Sequence, residues 1–221
     1  MKRFRILFSL FAAIVFIGGS VYAGKADDQP LEKLMQGNAR YVSGHISKKE
    51  SGGAYRKELA KGQHPFAVVV ACSDSRVSPS IIFDEGLGNI FVVRTAGNIV
   101  DPIAVGSIEY GVEHLHAPLV MVLGHESCGA VTAAVESKSI PEGNIGEIVK
   151  KIMPAVKKAK ASLKKGDNLI YASTIENVKD VAGEIVKKSK IISEEMHEGK
   201  VKVVGAYYSI STGKVEAVAL K

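Results

Sequence analysis

Two short runs in this 221-residue chain hold residues able to do chemistry: Cys72-Ser73-Asp74-Ser75-Arg76 and Gly124-His125-Glu126-Ser127-Cys128-Gly129. Cys72 and Cys128 are the only cysteines. His125 and Cys128 stand three apart, a spacing that can turn both side chains to one ion across a tight turn. Cys72 could add a third ligand from a neighbouring strand. Two thiolates and one imidazole make a Cys₂His set, which leaves one tetrahedral position free. Structural zinc sites are usually closed by four protein ligands, whereas catalytic ones keep a place for water or substrate. Zinc there lowers the pKa of a bound water to about 7. The competing reading is a disulfide, the first hypothesis for two cysteines in an oxidising compartment. A disulfide explains the cysteines equally well but leaves His125, Asp74 and Arg76 without a role.

Asp74 and Arg76 stand two apart and can pair through a charge-assisted fork. On a bare surface such a pair contributes little. Beside a metal it gains meaning. A carboxylate held by Arg76 can accept the proton of a water on the ion and aim its lone pair at a substrate. Released, Asp74 could swing onto the zinc and fill the open position.

These residues need elements that bring them together. Residues 66–72, 90–94, 118–124 and 201–208 are short apolar runs rich in β-branched residues. Continuous apolar runs fit strands covered on both faces of a parallel sheet. Helical patterns lie before and between them, at 31–42, near 55–61, and at 80–83, 103–115, 130–135, 145–164 and 168–188. Strands alternating with helices imply right-handed βαβ crossovers. Residues 214–220 can return as an antiparallel edge strand after a turn at Gly213. The expected fold is α/β with three layers. A central, mostly parallel sheet of about four parallel strands plus that antiparallel edge strand is flanked by helices. The two reactive runs both follow strands, and in open parallel sheets ligands bind beyond the carboxyl ends of strands where strand order switches.

The chain begins Met1-Lys2-Arg3-Phe4-Arg5, continues as an apolar run over 6–17, and reaches Gly18-Gly19-Ser20-Val21-Tyr22-Ala23. A basic head, an apolar stretch of roughly 7–15 residues and small residues at a cleavage point describe a secretory signal peptide. The expectation is a signal peptide at 1–23 and one domain at 24–221, with an N-terminal helical arm over about 31–62. The apolar run is shorter than the ~20 residues of a spanning helix, so no stable membrane anchor is expected after cleavage. Losing Lys2, Arg3 and Arg5 halves the formal net charge of +6. Basic residues after Lys150 alternate with acidic and apolar ones, as on solvated helix faces, and no nucleic-acid partner is implied.

Taken together, the two reactive runs resemble the paired signatures of the β-class carbonic anhydrases. Leu34-Met35-Gln36-Gly37-Asn38-Ala39-Arg40-Tyr41 is similar to that family's N-terminal helix. Arg94-Thr95-Ala96-Gly97-Asn98 and Ser107-Ile108-Glu109-Tyr110 are similar to its middle blocks. Val204-Gly205-Ala206-Tyr207-Tyr208 and Thr212-Gly213 look like its closing strand and turn, so the resemblance covers roughly residues 31–220.

The resemblance implies one zinc per subunit on Cys72, His125 and Cys128. Asp74 would be the dyad carboxylate in an open form and the fourth ligand in a closed one, with Arg76 restraining it. It implies reversible hydration of carbon dioxide to bicarbonate and a proton by zinc-bound hydroxide. The pocket would be narrow, largely apolar and commonly shared between two subunits of a homodimer or homotetramer. Gln63, nine residues before Cys72, matches the amide that donates to substrate oxygen in the plant-like subgroup, and Phe91 and Tyr110 match its aromatic lining. By residue type alone, Phe91 fits a core strand position as well, and Gln63 fits the end of a helix before Pro65. His114 follows Tyr110 by one helical turn, at a place considered for proton transfer, although a lone helix histidine is more often solvated or packed. Gly97 and Gly129 fit close backbone approach. The chain has no Trp, which favours the open, plant-like form. The expected location is the periplasm or outside the cell. Two rivals stay open: a related zinc hydrolase acting on carbon disulfide or carbonyl sulfide, and a non-catalytic binding protein held by zinc or a disulfide.

Overall fold

The apolar runs assemble into one five-stranded sheet. β1 (Ala67–Cys72), β2 (Ile90–Thr95), β3 (Leu119–His125), β4 (Lys202–Tyr208) and β5 (Val215–Val218) lie in the order β2-β1-β3-β4-β5. The first four are parallel neighbours and β5 runs antiparallel to β4. The expected mixed sheet with an antiparallel edge is therefore the one observed. The computed structural model describes residues 28–220, and the leader expected at 1–23 lies outside the described residues.

β1 and β3 are buried along their whole length. Side chains alternate across a strand, and they sort here into two cores. Val68, Val70, Val120 and Val122 enter one with Ile108 and Ile185. Val69, Ala71, Met121 and Leu123 enter the other with Leu34, Ile82 and Phe83. Full burial of a side chain of this kind stabilises the fold by about 1.5–3 kcal/mol, which is why these strands tolerate no polar face.

On the Leu34 side lie α1 (Gln29–Ser43) and α3 (Pro79–Ile82), with α2 (Gly53–Leu59) between them in sequence. Gly44 closes α1 in a left-handed conformation. Asn38 of α1 is buried and makes three bonds: Nδ2 donates to Ile82 O (3.1 Å) and Gly213 O (2.8 Å), and Oδ1 accepts from Val215 N (2.9 Å). One amide thus ties α1 to α3 and to the β4–β5 turn.

On the other side run α4 (Pro102–Glu109), α5 (Gly129–Glu136), α6 (Asn144–Ser162), α7 (Leu169–Lys188) and α8 (Lys190–His197). Two details depart from the expected helices. The pattern over 103–115 splits, because after Glu109 the chain widens into a π turn over Tyr110–His114. The α7 pattern also continues past Lys188 as a separate helix. Ser189 leaves the helical conformation and caps α8 by accepting from Ile192 N at 3.0 Å. A third apolar cluster, with Val131, Ile152 and Val156, surrounds Cys72 and Cys128.

Candidate active site

From β1 the chain crosses to β2 on one side and later to β3 on the other, so strand order switches between β1 and β3. Crevices form beyond the carboxyl ends of strands at such a point. Cys72 is the last residue of β1 and His125 the last of β3, with Ala71 and Leu123 paired just before them. Beyond His125 the backbone turns sharply through Ser127, at φ +53°, and delivers Cys128 as the N-cap of α5. Cys72, His125 and Cys128 are all buried, and their ligand atoms lie within 4.8 Å of one another. Both cysteines are free thiols, so the disulfide reading does not hold.

The donor set fits a metal ion. His125 is fully buried, and its Nδ1 lies 2.8 Å from Glu126 O. A carbonyl only accepts, so Nδ1 carries the proton and Nε2 presents a bare lone pair. That Nε2 is buried and has no hydrogen-bond partner. A buried polar atom left unpaired costs about 1–3 kcal/mol; a cation between the ring and two thiols removes that cost. One imidazole and two sulfurs suit zinc.

The two thiols divide the work. The Cys72 thiol is pulled down by hydrogen bonding with Cys128, against burial, helped by His125 and by the Gly97 N–H at 3.2 Å from Sγ. The Cys128 thiol is pushed up by the adjoining Cys72 and by burial, with the Val131 and Ala130 N–H groups at the start of α5 pulling the other way. The pair readily gives up one proton and holds the second, and a divalent cation supplies the charge that releases it.

Asp74 lies beside this cluster and is fully engaged by Arg76. Arg76 Nε and backbone N each donate to Oδ1 at 2.9 Å, and Nη2 donates to Oδ2 at 2.7 Å. The Arg76 fork, aided by its backbone N–H and opposed by partial burial, holds the Asp74 carboxyl well below the usual range. Oδ2 stands 4.0 Å from His125 Nε2. Asp74 is therefore a restrained acceptor next to the cluster, while the cluster itself is Cys72, His125 and Cys128. Arg76 Nη2 also donates to Ser127 O at 3.2 Å, linking the dyad to the His125–Cys128 turn.

Gln63, Phe91 and Tyr110 are not brought to this cluster by their own chain. Phe91 pairs with Val68, four residues before Cys72, which is about 13 Å along the strand at ~3.3 Å per residue. Gln63 is exposed in the segment before β1. Both belong to the amino end of the sheet, whereas the cluster occupies its carboxyl end. The Phe91 ring sits 6.1 Å from that of Tyr110, and Tyr110 5.3 Å from His114. Phe91 is half-buried and packs on the core. Gly97 makes the close approach expected of it, since a Cβ there would lie 2.7 Å from Ile152 Cδ1. Gly129 does not, because a Cβ there would meet no atom within 4 Å.

Three supporting residues had no place in the sequence reading of the site. Arg94 donates from Nε to Cys72 O (3.0 Å) and from Nη2 to Asp74 O (2.7 Å). Glu126, whose carbonyl orients His125, binds Ser211 N at 2.8 Å and the hydroxyls of Ser209 and Ser211. Asn177 reaches Gly97 from α7. The signal available for Asn177 was a polar residue on the apolar stripe of a helix; for Arg94 and Glu126 it was a charged residue at a strand's carboxyl end.

Residues 67–215 match the family model described as carbonic anhydrase. Carbonic anhydrase 2 of Mycobacterium tuberculosis is 39% identical over 186 residues, covering 82% of this chain and 87% of that protein. The carbonic anhydrase of Mycolicibacterium smegmatis is 39% identical over 187 residues, covering 83% and 89%. Among solved structures, a Coccomyxa β-carbonic anhydrase superposes with a TM-score of 0.68 at 27% identity, covering 87% of this chain and 86% of that one. The match spans well over half of the sequence and includes every residue of the metal cluster, and the chain belongs to the carbonic anhydrase family, in its β class.

Proposed function

We propose that this β-carbonic anhydrase is an exported enzyme of the open, plant-like kind whose substrate pocket is completed by a second copy of the chain. The reaction is the reversible hydration of carbon dioxide to bicarbonate and a proton, with one zinc per subunit on Cys72, His125 and Cys128. The observation that carries it is His125 Nε2, a buried bare lone pair without a partner, set among two thiols and the Asp74 carboxylate.

When bound, zinc supplies the Lewis acidity that makes water a nucleophile near neutral pH. Asp74 Oδ2 accepts a hydrogen bond from the attacking water, which turns a lone pair of that water toward carbon. Arg76 keeps Asp74 ionised and would restrain it from turning onto the metal. The water oxygen adds to the carbon of carbon dioxide, and one proton passes to buffer.

The shared pocket is supported by where the remaining residues lie. Ile103 and Tyr110 fall on one side of α4 and its π turn, and are 79% and 46% exposed. Apolar side chains exposed together mark an interaction surface. A homodimer, or a homotetramer built from it, would carry Gln63, Phe91 and Tyr110 to the partner's cluster. Export is supported by the leader-like residues 1–23, and among the described residues no helix is long and apolar enough to cross a membrane.

Stopped-flow hydration of carbon dioxide, with zinc content measured on the same sample, tests the activity. Sulfide release from carbonyl sulfide or carbon disulfide, without carbon dioxide turnover at full zinc occupancy, would move the reading to the sulfur analogues. A strictly monomeric active protein in sedimentation would end the shared-pocket proposal, and retention of residues 1–23 in the mature protein would end the export one.

A further inference from the structure

Helix α7 carries polar residues where its packing demands apolar ones. Ser173, Thr174 and Asn177 are buried on the same helix as Val178, Val181 and Ile185. Thr174 turns its hydroxyl back to Ile170 O within the helix. Asn177 instead reaches out: Nδ2 donates to Gly97 O at 2.9 Å, a buried bond between residues 80 apart in sequence.

Gly97 is the link to the metal cluster. It sits in a short turn after β2 at φ +68°, a conformation that favours glycine. Its carbonyl accepts from Asn177, and its N–H donates to Cys72 Sγ at 3.2 Å. A Cβ at Gly97 would lie 2.7 Å from Ile152 and 3.1 Å from Ala130, so this residue has no side chain with which to fix itself. A glycine turn is intrinsically permissive. Something outside it must hold the N–H on the sulfur.

We propose that Asn177 is a positioning residue of the zinc site: by gripping the Gly97 carbonyl it fixes the Gly97 N–H on Cys72 Sγ and sets how much charge that sulfur gives to the ion. An N–H···S bond draws electron density from a thiolate, and weaker donation leaves the ion a stronger Lewis acid. Outer partners of metal ligands typically alter affinity or activity by about 10–100-fold. The proposal rests on the metal reading of Cys72, His125 and Cys128.

The test substitutes cobalt(II) for zinc and reads the thiolate-to-cobalt charge-transfer absorption in wild type and in Asn177→Leu, which keeps the branched shape and removes the donor. With far-UV circular dichroism unchanged, the band moves to lower energy in the variant, because an unbonded sulfur is more easily oxidised. A competing chelator then strips zinc about 10-fold more readily, because the freed Gly97 turn no longer holds Cys72 in place for the ion, a loss that outweighs the stronger donation of an unbonded sulfur. An unchanged band and unchanged competition, with only a lower melting temperature, would make Asn177 a packing residue and overturn the proposal. If Asn177→Leu does not fold, Asn177→Ser is read by the same two measurements, and unchanged values there overturn it equally. A wild-type protein with no thiolate band at all would instead refute the metal reading, and the proposal with it.

Discussion

Arg94 Nη2 holds the carbonyl of Asp74 at 2.7 Å while its Nε holds that of Cys72 at 3.0 Å. One guanidinium therefore sets the backbone on both sides of Ser73, fixing a residue of the proposed zinc cluster and the Asp74 carboxylate in a single frame. The planar fork is what allows two acceptors to be served together. Arg94→Lys keeps the charge but loses that geometry. The expected outcome is a fall in kcat of about 10–100-fold with a smaller loss of zinc, measured by stopped-flow hydration with metal analysis. A variant with wild-type kcat would remove Arg94 from the site.

Asp74→Asn tests the dyad directly. Arg76 can still hydrogen-bond the amide oxygen, and none of the three cluster residues changes, so zinc should be retained at about one per chain. The lost acceptor should lower kcat by about 10²–10⁴-fold, the usual range for a positioned acid–base group. Because the Arg76 fork keeps the Asp74 carboxyl well below the usual range, Asp74 stays ionised throughout mildly acid pH. The acid fall of wild-type activity should therefore occur well above the point where Asp74 titrates. Full activity in Asp74→Asn would take the carboxylate out of the mechanism.

The sheet and much of the site were legible because their physics is local. Residues 67–72 form a strand buried on both faces, and such a strand reads as an unbroken apolar run rich in β-branched residues. The reactive residues follow such runs directly, which is enough to put Cys72 and His125 at strand ends. What was not legible depends on partners distant in sequence. Nothing near Asn177 says that its amide meets Gly97, 80 residues earlier. Ser189 ends one helix and caps the next by a single hydroxyl, a choice that helical periodicity does not register.

Removing the metal should expose the cysteine pair to oxidation. Both thiols are buried and free, and their sulfurs lie within 4.8 Å, while Cys72 is the readier of the two to ionise. In the zinc-free protein, a small disulfide oxidant should oxidise Cys72 and Cys128 together to a disulfide, the oxidant being reduced to two thiols. Zinc-loaded protein should keep both thiols under the same treatment. Thiol titration with mass spectrometry reads the difference, and equal oxidation of the two forms would mean that the ion does not shield the sulfurs.

Asp84 gives the fold a defined acid limit. Burial alone would raise its carboxyl, but bonds from Arg40, from the backbone and hydroxyl of Ser47, and from Lys49 outweigh that and hold it well below the usual range. A carboxyl depressed in the folded state stabilises it fully above the unfolded value of about 3.9 and loses that contribution as pH falls through the folded value. Asp84→Asn should cost about 1–3 kcal/mol at neutral pH. It should also flatten the loss of stability below about pH 4 that wild type undergoes. Urea unfolding across that range checks both, and an unchanged acid limb would assign it to other carboxylates.

Subunit mixing tests the shared pocket most directly. Gln63 stands at the amino end of β1, while Asp74 lies just past its carboxyl end. If each pocket joins one chain's Asp74 to the other chain's Gln63, then Gln63→Ala and Asp74→Asn subunits are each defective alone yet complementary together. A mixed dimer holds one pocket with neither substitution and one with both. Random reassembly of equal amounts around a two-fold axis should therefore recover roughly a quarter of wild-type activity. If both groups served the same chain's zinc, every pocket in the mixture would carry one lesion and no activity would return. Recovery beyond the sum of the separate variants thus requires the pocket to span two chains, and its absence in a dimer shown to exchange subunits would confine each pocket to one.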